Sequence, residues 1–370
     1  MKRGDQGNRP LTSQRGFVAA LAALTLLPQL ASAQPPRAPQ PAAAPGVTRG
    51  IYNWIHTTGD AERSFAFYRD IFGIELERSP FAAPAPPNAP AERIRSVTEA
   101  GSDALVWDLT DTRGARFRTA FMHAPNTPFG LELSEFFDIP RSERAANPWD
   151  PGASKLIFAV RDLEAVARAL QARGAPVITL GGRPLDTPAG RSLLVRDPDG
   201  YLVEVTQASP GEIASAASPG AVVRTSIGIV VADTATALVF YRDLLGFEVR
   251  ATRRATDAEL RLNGLAEGAL KQTTTSIPGT DVAVLFYEFT LPATATPPAN
   301  PFRWRIEDVG APQFQLQVAG LDALLERTKQ AGYRFLSVGA KPIQRPFGRF
   351  VFAIDADGVL VEFVEPAGQN

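Results

Sequence analysis

The sequence predicts an α+β fold of two tandem domains. Three observations carry that prediction: the chain repeats itself, each half alternates strand-like and helix-like periodicity, and the composition is that of an ordinary globular protein. The repeat is the strongest of the three. Phe67-Tyr68-Arg69-Asp70 with Gly73 recurs as Phe240-Tyr241-Arg242-Asp243 with Gly246, and Asp197-Pro198-Asp199-Gly200 with Glu204 recurs as Asp355-Ala356-Asp357-Gly358 with Glu362. Two motifs repeated in the same order mean a duplicated unit. The first half is longer between these landmarks, and residues 79–94, SPFAAPAPPNAPAERI, are the natural place for an insertion.

Each half reads as strand, helix and several strands, twice over. In TSIGIVVAD, Ile227, Ile229 and Val231 alternate with small or polar residues, the period of a half-buried strand. From Thr234 to Leu245 the apolar residues Ala237, Leu238, Tyr241 and Leu245 fall at helical spacing, and Gly246 offers a left-handed stop. PQFQLQV followed by LDALLERTKQAG repeats the pattern, as does KLIFAV followed by DLEAVARALQARG. The Asp-x-Asp-Gly sequences read as turns between strands, where Asp favours the bend and Gly supplies positive φ.

The chain has 370 residues, 45% hydrophobic and 21% charged, with room for about two domains of ~150 residues. It has no Cys and two His, which excludes disulfide frameworks, thiolate metal sites and a cysteine nucleophile. Lys2, Arg3, Arg9 and Arg15 precede the apolar run GFVAALAALTLLPQL, which ends at Ala31-Ser32-Ala33. That arrangement predicts a signal peptide over residues 1–33 and a periplasmic or secreted protein, with the export route left open. Removing it leaves a mildly acidic chain without a dense basic run, so neither nucleic acid nor membrane is an expected partner. Residues 34–46 form a Pro/Ala-rich linker, followed by domain 1 over 47–209, a linker over 210–219 and domain 2 over 220–370.

The segments HTTGDAERSFAFYRDIFG and VVADTATALVFYRDLLGF, with RDPDGYLVEV and IDADGVLVEF closing each half, resemble the vicinal oxygen chelate superfamily. That superfamily includes glyoxalase I, extradiol dioxygenases, bleomycin and fosfomycin resistance proteins and methylmalonyl-CoA epimerase. The resemblance covers about residues 47–366. It implies paired βαβββ modules whose mixed sheets curl into cups around clefts. In metal-dependent members a His or similar residue on the first strand of each module, and a Glu on a closing strand, hold a divalent ion.

Counting back seven residues from Asp60, Asp162, Asp233 and Gly320, which open the helices, as the family pattern implies, marks Asn53, Lys155, Ser226 and Gln313, and the closing acids are Glu204 and Glu362. Taken half by half, the candidate ligand-binding sets are Asn53/Lys155/Glu204 and Ser226/Gln313/Glu362. Neither is a cage for Zn²⁺, Ni²⁺ or Fe²⁺, because neutral amide and hydroxyl oxygens are poor ligands for those ions and a lysine ammonium replaces a cation. Lys155 with Glu204 reads either as an internal salt bridge or as a contact for a substrate anion. A divalent metal in domain 1 would instead draw on Glu204, Glu132, His56 and His123, provided that a register shift turns His56 inward. No other cofactor is indicated. Gln313, Gln315 and Gln317 share one strand face, Tyr68 and Tyr241 are expected to pack on the sheet with hydroxyls at its rim, and Pro301–Trp304 could cover the second cleft. Two functions remain open: a small-molecule binder in its clefts without the usual metal cage, or a metal-dependent lyase, isomerase or dioxygenase using domain 1.

Overall fold

The computed structural model describes residues 47–77, 100–293 and 303–368. The expected signal peptide, the 34–46 linker, the 79–94 insertion and the start of the Pro301–Trp304 segment lie outside them. The first module comprises β1 (Val47–Thr57), α1 (Ala61–Phe72), β2 (Glu75–Leu76), α2 (Ala104–Thr110), β3 (Arg116–His123) and β4 (Gly130–Phe137). The second comprises β5 (Ser154–Val160), α3 (Leu163–Ala172), β6 (Leu185–Thr187), β7 (Gly190–Arg196) and β8 (Leu202–Gln207). After α4 (Pro210–Ser215), the third runs through β9 (Val222–Val230), α5 (Thr234–Leu238), β10 (Glu248–Arg254), α6 (Asp257–Leu262), β11 (Ala269–Ser276) and β12 (Ala283–Thr290). The fourth holds β13 (Pro312–Ala319), α7 (Leu321–Gln330), β14 (Arg334–Phe335), β15 (Ile343–Arg345), β16 (Gly348–Ile354) and β17 (Leu360–Pro366). The fold is α+β, with two curled sheets built from four βαβββ modules.

The helices begin where the sequence supplies caps. Asp60 accepts from the backbone N–H groups of Glu62 and Arg63 at the start of α1, and Asp162 and Asp233 do the same work for α3 and α5. Gly73 closes α1 with φ 67°, the left-handed conformation expected of it. One difference from the periodicity is local: the helix expected over Thr234–Leu245 is α-helical only to Leu238 and widens into a π turn over Val239–Leu244.

Sheet order is what positions the sites. One sheet runs β14-β16-β17-β13-β1-β4-β3-β2, and the other β10-β11-β12-β9-β5-β8-β7-β6. Each sheet therefore takes one module from each half of the chain: the first pairs with the fourth through antiparallel β1–β13, and the second with the third through β5–β9. We call them the first and second cup. Alternation along the strands sorts residues between two faces. Phe350, Phe352, Leu360 and Val364 turn into the first cup, while Val351, Ala353, Val361 and Phe363 join the main apolar cluster, which draws residues from all four modules.

The two repeated sequence motifs meet in that core. Tyr68 donates its hydroxyl to Asp197 Oδ2 at 2.8 Å, and Tyr241 donates to Asp355 Oδ2 at 2.9 Å. Both hydroxyls are buried rather than at the sheet rim, because each Asp turns its carboxylate inward. Its other oxygen accepts two backbone N–H groups of its own turn, those of Asp199 and Tyr201 or of Asp357 and Val359. Burial and the neighbouring carboxylates hold both phenols well above their ordinary pKa, so each remains a donor. Tyr68→Phe and Tyr241→Phe are each expected to lower stability by about 1.5–3 kcal/mol, as for a hydrogen bond to an ionisable group, with little change in fold. Urea unfolding with circular dichroism at fixed pH measures it; an effect below ~0.5 kcal/mol would show that neither bond matters.

Candidate functional site

Four central strands of the first cup line up one polar side chain each. Asn53 on β1 stands opposite Gln315 on β13, Gln315 stands beside Glu362 on β17, and Glu132 on β4 pairs in register with Ile55. Asn53 Nδ2 donates to Gln315 Oε1 at 2.8 Å and to Glu132 Oε2 at 3.3 Å, and Gln315 Nε2 donates to Glu362 Oε2 at 2.7 Å. Gly130 makes room for this row: a Cβ there would lie 2.2 Å from Asn53 Oδ1. Above the row opens a cavity of about 600 Å³ walled by Phe117, Phe121, Phe136, Phe347, Phe350 and Phe352. Burial, followed by the charge of Glu362, pushes the Glu132 carboxyl up to about 8; burial pushes Glu362 up to about 7 against the opposing hydrogen bond from Gln315.

The second cup is built differently at the same positions. Its row, matched by strand register, is Ser226, Leu285, Ile157 and Glu204, so two of the four polar places are apolar. The remaining carboxylate is held by its own chain. Lys155 Nζ lies 2.7 Å from Glu204 Oε2, donates to Asn263 Oδ1 at 3.1 Å and sits 4.0 Å from the centroid of the Tyr287 ring. Gly228, directly opposite Lys155, admits this side chain, since a Cβ there would come within 2.8 Å of Lys155 Cγ. Ser226 accepts from Arg224 at 2.7 Å. The space left is about 100 Å³.

These geometries correct the half-by-half sets. Asn53 does not meet Lys155 and Glu204, nor does Ser226 meet Gln313 and Glu362, because the sheets pair modules across the halves. The amide facing Asn53 is Gln315, two residues beyond the counted position; Gln313 also borders the first cavity but donates to Thr57 Oγ1 at 3.1 Å. The set Glu204, Glu132, His56 and His123 does not come together either. Glu132 is in the first cup, Glu204 in the second, and His123 lies half-exposed, 3.9 Å from Glu77. Trp304 does not cover the second cleft as a loop: it is buried and donates to the Gly152 carbonyl at 2.9 Å.

His56 follows the strand alternation away from the cup. Its Nε2 lies 3.2 Å from Asp197 Oδ2 and 3.8 Å from Asp199 Oδ2, and its ring stacks on Tyr201 with centroids 4.5 Å apart. Imidazole and both carboxylates lie close enough to hold an ion, but a protonated ring already supplies the positive charge. Burial pulls the His56 pKa down, and the hydrogen bonds and charges of the two aspartates overcome it, raising the value to about 9. Asp199 is lowered to about 2 by the same pairing despite its burial.

The fold family implies a divalent ion in such cups, and the donors can be tested for it. In the second cup they do not fit, because the Lys155 ammonium occupies the carboxylate. In the first, the carboxylates of Glu132 and Glu362 and the amide of Gln315 border one cavity, and oxygen ligands of that kind suit a hard ion such as Mg²⁺ or Mn²⁺ rather than Zn²⁺. An ion held there would supply Lewis acidity to a bound oxygen.

Fold and site together define an α+β protein of two curled sheets, one of which keeps an open cavity over buried polar side chains. The family described as Glyoxalase/Bleomycin resistance protein/Dioxygenase superfamily matches residues 53–205 and 224–363, and the chain belongs to it. Glyoxalase I from Zea mays is similar in fold, with TM-score 0.51 and 16% identity over 85% of this chain and 92% of that one. A putative dioxygenase from Bacillus subtilis is similar too, with TM-score 0.52 and 11% identity over 87% and 86%. Among curated proteins, none matches the chain.

Two predictions follow from the buried charges. Lys155→Met should cost about 3–5 kcal/mol by leaving Glu204 unpaired, and Lys155→Met with Glu204→Gln should recover most of it; denaturant unfolding of the three variants decides. Because the folded His56 pKa is raised from 6.5 to about 9, its contribution is fully present below pH 6.5 and is lost as pH rises through 9. The stability gap between wild type and His56→Gln should therefore be on the order of 3 kcal/mol at pH 6 and close on the alkaline side. A gap that stays constant from pH 6 to 10 would show that the ring is never charged.

Proposed function

We propose that the protein binds an organic small molecule in the first cup alone, and that it does so outside the cytoplasm. One observation carries the reading. The two cups share their construction, yet one keeps about 600 Å³ above a row of four polar side chains and the other about 100 Å³ around an internal ion pair. The larger volume, with aromatic walls and a few convergent polar groups, falls in the range of drug-sized ligand sites. Export rests on the basic, apolar and small-residue order of residues 1–33. A second reading, a metal-dependent lyase, isomerase or dioxygenase of the superfamily, is supported by the two carboxyl groups, Glu132 and Glu362, that border the same cavity.

Val106 on α2 borders the first cavity, so Val106→Trp fills space there without touching the polar row. Ligands found by thermal-shift screening of aromatic and amphiphilic compounds should lose at least about tenfold in affinity in Val106→Trp. They should bind Ser226→Val, a change in the second cup, as they bind wild type. Ligands indifferent to Val106→Trp would refute the assignment to the first cup. Elemental analysis after dialysis against Mg²⁺ and Mn²⁺ checks the second reading: stoichiometric metal in wild type, lost in Glu132→Gln and Glu362→Gln, would establish it.

A further inference from the structure

We infer that the ligand of the first cup is an organic cation, an amine or quaternary ammonium on an apolar body, whose positive charge takes the place that Lys155 fills in the second cup. The inference rests on the small-molecule reading and adds the chemistry of the ligand.

The duplication supplies the argument. Strand register equates Gln313 with Lys155 and Glu362 with Glu204: Ile55 faces Gln313 as Gly228 faces Lys155, and Glu362 adjoins Gln315 as Glu204 adjoins Ile157. In the second cup an ammonium lies against the closing glutamate and over an aromatic ring, 2.7 Å from Glu204 Oε2 and 4.0 Å from the Tyr287 centroid. Both contacts stabilise a cation, one by charge and the other by the ring's negative face. The first cup keeps the glutamate, adds a second in Glu132, and surrounds them with phenylalanine rings, but puts a neutral amide where the lysine would be. Among the described residues, the basic side chain bordering that cavity is Arg345, which is paired with Asp103. Among the described residues, two buried carboxyl groups thus face an aromatic chamber with no ammonium of the chain's own bordering it. A metal ion would satisfy the carboxylates but leave the phenylalanine walls without a role, whereas an organic cation uses both.

Isothermal titration of the full chain with three probes of one skeleton tests this: 3-phenylpropylamine, 3-phenylpropan-1-ol and 3-phenylpropanoate. The amine should bind at least about tenfold more tightly than the alcohol, with the carboxylate weakest. Glu362→Gln should bring the amine down to the level of the alcohol while leaving the alcohol within about twofold, which also shows that the variant is folded. Gln313→Lys, which copies the second cup into the first, should likewise abolish the amine's advantage. An alcohol or carboxylate that binds as well as the amine overturns the inference and leaves the small-molecule reading standing. Failure of all three to bind at millimolar concentration overturns both. Mg²⁺ or Mn²⁺ binding that excludes the amine assigns the carboxylates to a metal and overturns the inference.

Discussion

A single kind of contact organises this protein: a buried tyrosine hydroxyl held by a buried aspartate. Tyr68 sits on the helix of the first module and Asp197 in the last turn of the second, so their bond reaches from an element of one sheet to an element of the other. Tyr241 and Asp355 do the same for the third and fourth modules. Each partner is useless alone in an apolar interior, since an unsatisfied buried carboxylate or phenol costs several times what the bond returns. The helices must therefore pack with those hydroxyls over those turns. Once they do, the odd and even residues of every central strand are assigned to core or cup.

The same anchor is supported unequally in the two halves. In the first, His56, Arg63 and Ser64 gather on the aspartates of the turn, with Asp199 accepting from the latter two. In the second, Ile229 stands where His56 would be, and burial together with the charge of Asp357 raises Asp355 to about 7, while burial raises Asp357 to about 6. The cups diverge in the opposite direction. The second has neutralised its surviving glutamate with Lys155 and closed around it, while the first retains two acids of raised pKa and an open chamber. A duplicated fold can tolerate this because each cup carries its own polar row, and losing one leaves the core untouched.

Much of the architecture was legible in the residues. The repeated FYRD and Asp-x-Asp-Gly motifs announced the duplication because they are the two ends of one contact, and the caps at Asp60, Asp162 and Asp233 marked helix starts. What could not be read was which modules share a sheet. Strand pairing between β1 and β13 leaves no local trace, since neither strand's alternation says which neighbour it will meet. That is why the residue count groups Asn53 with Lys155 rather than with Gln315. The count to Gln313 falls two residues short of Gln315, one full strand period, which preserves the face and changes the partner. Gln315 itself carried a signal in the Gln313, Gln315, Gln317 alternation, but the aromatic wall around it comes from strands far apart in sequence.

The pairing of first and fourth modules has a consequence in time. Asn53 and Gln315 are separated by 262 positions along the chain, and their hydrogen bond crosses the seam of the first sheet. Such a non-local closure is entropically expensive and slow to form. The second sheet is assembled from contiguous modules and can close while the C-terminal quarter is still being made. The first strand must meanwhile wait, unpaired along the edge that β13 will cover, until nearly the whole chain has emerged. The open cup is therefore the last part of the protein to exist.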